Sequence, residues 1–169
     1  MTDDAFYDDL QTALESGDPA RVAGAKAELR ARSEAYPDDA LVQYLIASAY
    51  DGAGCEADAM PHYKRVFALG IEELPERRRP ELFVQAGSTL RNLGQLDEAR
   101  ALLHEGMARF PAYQALPVFA ALVEASAGDD RAAMLLLFRV AIMDEDASLG
   151  RFQRALRWYV DDLLNWERT

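Results

Sequence analysis

The chain is short of the residues that staple, coordinate or anchor. Its 169 residues include one cysteine, Cys55, and two histidines, His62 and His104. One cysteine makes no internal disulfide, so the fold must rest on a packed core. No HExxH motif and no paired Cys/His spacing occurs, which leaves no zinc or other metal site and no cofactor to expect. No apolar run approaches the roughly 20 residues that cross a bilayer. The opening Met1-Thr2-Asp3-Asp4 lacks the basic and apolar regions of a signal peptide, so a cytoplasmic setting is expected. Cations are scarce too: 18 Lys and Arg against 29 Asp and Glu leave a formal net charge of −11. Such a chain repels phosphate at long range, which argues against nucleic acid and anionic membranes as partners.

What is present is apolar material and small residues in register. Hydrophobic residues make up 50% of the chain, ample for a single packed domain. Gly54 is followed by Ala59 and Tyr63, Gly94 by Ala99 and Leu103, and Gly128 by Ala133 and Leu137. Gly94 and Gly128 stand 34 residues apart, and Gly54 and Gly94 stand 40 apart. The extra length falls in Glu73-Leu74-Pro75-Glu76-Arg77-Arg78-Arg79, a polar, Pro-bearing stretch expected to be a solvated loop. Asp18-Pro19 reads as an N-cap followed by proline at the first helical position. Asp38 or Asp39 is expected to cap the next helix, and Asp129 or Asp130 a later one. No segment alternates with period 2 between turn residues, so no strand is expected. The expected helices are 3–16, 19–35, 39–53, 56–70, 80–93, 96–110, 114–127, 130–143 and 148–167.

A 34-residue frame of Gly and Ala resembles the tetratricopeptide-repeat (TPR) family. Pro80 to Tyr113 carries Phe83, Ala86, Gly87, Leu90, Gly94, Ala99, Leu103 and Pro111 on the family's spacing. The run Ser88-Thr89-Leu90-Arg91-Asn92-Leu93-Gly94 also looks like a small family of uncharacterised bacterial TPR proteins. The resemblance implies an all-α, right-handed superhelix of antiparallel helix pairs in one domain. It divides into a degenerate first repeat at 1–37, repeats at 38–70, 80–113 and 114–147, and a capping helix at 148–167. Ala47, Gly87 and Ala121 on the first helices, with Ala59, Ala99 and Ala133 on the second, would let the helix axes approach closely. Tyr50, Leu90, Tyr63, Leu103 and Leu137 would fill the layer between helices. Gly54, Gly94 and Gly128 would end the first helices, where a left-handed residue is wanted. The fourth repeat departs from the pattern at Glu124, where an aromatic is usual.

Three motifs suggest other chemistry. Gly52-Ala53-Gly54-Cys55-Glu56-Ala57 fits a G-x-G-x-x-A dinucleotide fingerprint, with Glu72 about 20 residues on. That motif needs a preceding strand, whereas the repeat frame accounts for Gly54 without a cofactor. Cys55 with a histidine would make a nucleophile pair only with a positioned base and an oxyanion site, and nothing signals either. Arg77-Arg78-Arg79 could grip an acidic peptide or phosphate, but a charge run of this kind is more often solvated.

The resemblance also implies a concave groove lined by first helices. Its ligand-facing positions carry over to Leu41, Tyr44, Ser48, Asp51 and Gly52, then Glu81, Val84, Ser88, Arg91 and Asn92. In the fourth repeat they fall on Ala115, Val118, Leu122, Ala125 and Ser126. Ser48 and Ser88 stand where the chaperone-type carboxylate clamp has asparagine, and Glu81 where it has lysine. The groove residues expected to meet a protein or peptide partner are Tyr44, Ser48, Asp51, Ser88, Arg91 and Asn92. Phe152, Leu156, Tyr159 and Leu163 form one stripe of the final helix, as a cap on the last repeat or a homodimer interface. The expected function is a non-catalytic protein-interaction scaffold. The alternative is a small enzyme or enzyme subunit with an unrecognised site.

Overall fold

The computed structural model describes residues 3–143, all of whose regular elements are helical. They are α1 (Asp3–Glu15), α2 (Pro19–Ala35), α3 (Ala40–Gly52), α4 (Glu56–Leu69), α5 (Arg78–Asn92), α6 (Leu96–Arg109), α7 (Ala115–Ser126) and α8 (Asp130–Met143). The expected helix at 148–167 and its Phe152–Leu163 stripe lie outside the described residues. The chain divides into two compact bodies, Met1–Gln95 and Leu96–Thr169.

The turns explain why these helices start and stop where they do. Gly54, Gly94 and Gly128 have φ of +70°, +77° and +82°, the left-handed region that costs a side chain but not glycine. At each, the glycine N–H donates back to the carbonyl three residues earlier, and the next N–H donates five residues back. Cys55 N to Tyr50 O is 2.8 Å, and Gln95 N to Leu90 O is 2.9 Å. This paired closure satisfies carbonyls that the helix end would otherwise orphan. Carboxylates cap the starts of α2, α3 and α8. Asp18 accepts from Ala20 N at 2.9 Å, Asp39 from Val42 N at 3.0 Å and Asp129 from Ala132 N at 2.9 Å. Asp39 and Asp129 therefore take the caps that the sequence left open between neighbours.

In the N-terminal body, α1 packs on α2 and α3 on α4 as antiparallel pairs, while the first helices α1, α3 and α5 lie side by side. Ala47 and Ala59 have no exposed surface, so the α3–α4 crossing is as close as methyl groups allow. Tyr44, Tyr63, Ile46, Val66, Leu82 and Phe83 complete the core, and Phe67 meets Phe83 edge-on at 5.2 Å. In the C-terminal body, α7 packs against both α6 and α8 around Leu103, Leu116 and Val123.

Two expectations need correction. The Arg77–Arg79 stretch is only in part a solvated loop: Arg77 is exposed in a turn, but a short 3-10 turn covers Ile71–Glu73, and Arg78 and Arg79 are half-buried at the start of α5. Pro80 sits in the first helical turn, where its missing N–H is no loss. Arg79 holds the insertion by donating from Nε to Leu74 O and from Nη2 to Glu72 O, each 3.0 Å. Leu137, expected between helix layers, is 49% exposed, because Ala133 and Leu136 take the buried face of α8.

Candidate functional site: the first-helix face of the N-terminal body

The inner wall of this face is a hydrogen-bonded network that ties α3, α4 and α5 together. Thr89 on α5 is fully buried, and its Oγ1 lies 2.7 Å from Asp51 Oδ1 on α3. Tyr63 on α4 reaches Asp51 Oδ2 at 3.3 Å and Gln85 Oε1 at 3.2 Å. Burial pushes the Asp51 carboxyl above its ordinary value, and the bonds from Thr89 and Tyr63 hold the rise in check. Burial likewise drives the Tyr63 phenol far up, with the Asp51 charge adding to it. Tyr44 is fully buried: its hydroxyl donates to Glu81 Oε2 at 3.2 Å, and the Arg78 guanidinium covers its ring at 5.1 Å.

In front of this wall lies a recess of about 80 Å3, where three first helices meet. α1 supplies Tyr7, Asp8 and Gln11, α3 supplies Ser48, and α5 supplies Arg78. The Gln11 side chain lies over Gly52, within 2.5 Å of where a Cβ would stand there. Glycine at 52 thus lets α1 lie close over the end of α3.

Of the expected groove residues, Ser48 lines the recess, and Ser88 and Arg91 are half-buried on α5. Tyr44 and Asp51 face inward and are spent on internal bonds. Asn92 is exposed, donates to Glu56 Oε1 at 3.1 Å and accepts from Arg91 at 3.4 Å. The contribution of α1 was missed. The degenerate spacing from Gly17 to Pro37 hides its register, although Gly17, at φ +69°, turns like the later glycines.

The alternative motifs are placed as well. Residues before Gly54 form α3, a helix and not a strand, so the dinucleotide fingerprint lacks the element it needs. His62 and His104 lie on α4 and α6, and Cys55 precedes α4, half-buried, with Sγ 3.9 Å from Ala53 O. Among the described residues no group of three metal-ligating side chains converges, and no helix is long and apolar enough to cross a membrane. In the C-terminal body, Glu124 is 6% exposed and accepts from Arg100 through both oxygens, at 2.8 Å each.

Paired helices that turn on left-handed glycines and bury alanine at their crossings define a helical-repeat protein. Residues 40–163, well over half the chain, match the family described as Tetratrico peptide repeat, and the chain belongs to the tetratricopeptide-repeat family. No curated protein and no solved structure matches it.

Proposed function

We propose that this chain is a non-catalytic interaction module that holds a protein or peptide partner on the face formed by α1, α3 and α5. The recess around Ser48 carries the reading. Its polar lining mixes an acceptor (Asp8), a donor (Arg78) and two groups that do both (Gln11 and Ser48). That mixture suits a peptide backbone, which presents N–H and C=O in turn. The carboxylate behind it, Asp51, is occupied by Thr89 and Tyr63, so the wall supplies shape and rigidity and not a reacting group. Ser88, Arg91 and Asn92 extend the surface along α5.

A photoreactive residue tests this reading when introduced at Ser48 in the native host and, as a control, at Glu28, exposed on α2. The reading expects a discrete protein adduct from position 48 that is absent from position 28 and suppressed by Gln11→Ala. Equal adducts from both positions, or none at 48, would remove the groove as the binding surface.

A further inference from the structure

A second cleft, on the other side of the N-terminal body, is built from residues that the groove does not use. It holds about 280 Å3 between α2 and α4, with Tyr50 of α3 as its floor. Two of its polar atoms are fixed by the fold and have no partner among the described residues.

The first is the Tyr50 hydroxyl. Tyr50 is 7% exposed, and its ring stacks on His62 at 5.9 Å with planes 17° apart. The hydroxyl makes no hydrogen bond among the described residues, and no buried side-chain oxygen or nitrogen there lacks a partner. It therefore sits where the cleft opens. The second is His62 Nε2, whose state follows from its neighbours. Gln43 Nε2 donates to Tyr36 O at 3.0 Å, so Gln43 Oε1 is the atom that faces His62 Nδ1, at 2.8 Å. Oε1 only accepts, so Nδ1 carries the proton. Nε2 is left as a lone pair, and burial of the ring favours that neutral form. It too has no partner among the described residues.

We propose that this cleft recognises a primary carboxamide, the side chain of an asparagine or glutamine on a partner protein. A primary carboxamide carries N–H and C=O side by side on one edge. The N–H meets His62 Nε2, and the C=O accepts from Tyr50. A carboxylate has no proton for Nε2, and an ammonium can donate to the Tyr50 oxygen but leaves the Tyr50 O–H without an acceptor, so the carboxamide is the group that uses both. Net charge gives neither an advantage: Arg30 is offset by Glu34, and Asp58 is neutralised by Lys26 at 2.6 Å. The cleft's volume exceeds that of such a side chain, so part of the partner backbone enters with it.

The test uses the full chain with 15N-labelled histidine and three probes: N-acetyl-glutamine N-methylamide, the corresponding glutamate compound, and free glutamine. The blocked glutamine should move the His62 Nε2 resonance saturably toward that of a protonated nitrogen, leave His104 in place, and outbind both other probes. Tyr50→Phe, which removes an oxygen with no internal bond, should weaken that binding roughly tenfold. No saturable shift, or equal binding of the glutamate compound, would overturn the carboxamide assignment. Tighter binding of free glutamine would replace the partner protein by a small molecule. Failure here leaves the Ser48 groove untouched, since the two surfaces share no residue.

Discussion

Replacing Glu124 by leucine should leave the protein as stable as before, although it destroys a two-pronged ion pair. Glu124 stands where the preceding repeats have Tyr50 and Leu90, in the layer between helices. Its carboxylate is nearly sealed from water, while the Arg100 side chain is 36% exposed. A buried pair of this kind recovers much of its desolvation cost and yields little net stability, but losing one partner strands the other. Removal of a partner from a fully buried pair costs about 3–5 kcal/mol. Because water reaches Arg100 and would also reach the stranded Glu124 in part, Arg100→Ala should cost less, about 1.5–3 kcal/mol. For a chain of this length that lowers the melting temperature by roughly 3–12 °C. Glu124→Leu removes the charge and adds an apolar side chain, and Arg100 keeps Asp97 at 3.1 Å. Its expected effect lies between neutral and a gain of about 1 kcal/mol. The double variant should recover most of what Arg100→Ala loses. Thermal and urea unfolding give the global values, and hydrogen exchange in α6 and α7 locates the change within the C-terminal body. If Glu124→Leu cost as much as Arg100→Ala, or the two losses simply added, the desolvation argument would fail.

Gly94→Ala and Gly24→Ala should differ in sign. Neither added Cβ meets an atom within 4 Å, but Gly94 holds φ +77°. Gly94→Ala should therefore cost about 1–2 kcal/mol, and Gly24→Ala, inside α2, should gain about 0.5–1 kcal/mol, both by urea unfolding. The Asp51 carboxyl should titrate above its ordinary value by carbon NMR, and Thr89→Val should raise it further by removing a bond to the charged form. Because its folded pKa is raised, Asp51 contributes most below its unfolded pKa and loses that contribution as pH rises through the folded one. A midpoint at or below the ordinary value would contradict this. His62 should titrate below the usual histidine value. Its contribution to stability is present above the unfolded pKa and is lost as pH falls toward the folded one. A midpoint raised above the usual value would show that Asp58, and not burial, controls the ring.

The helices were legible because glycine marks the turn within each pair, and alanine or glycine the crossings, at a recurring spacing. What the sequence could not reveal is how the insertion folds. Arg79 bonds two carbonyls of the 3-10 segment, so α5 begins at Arg78 and reaches over α3. Tyr44, a groove residue by repeat position, is thereby roofed by Arg78 and tied to Glu81. Asp51 turned inward for a related reason: Thr89 and Tyr63 offer it donors from two other helices, a convergence that no local spacing encodes. Glu124 looked like a defect in its repeat until Arg100, 24 residues earlier, supplied its partner. The tautomer of His62 depends on Gln43 and, behind it, on the Tyr36 carbonyl, a chain of bonds visible only in three dimensions.

The claim that matters most is that the α1–α3–α5 face binds a partner. Its most direct test is the dissociation constant of the protein captured at position 48, measured by calorimetry for the wild type and Ser48→Phe. The phenyl ring fills the recess, so affinity should fall at least roughly tenfold while the melting temperature stays close to that of the wild type. Unchanged affinity in a folded Ser48→Phe variant would contradict the account and place the binding surface elsewhere.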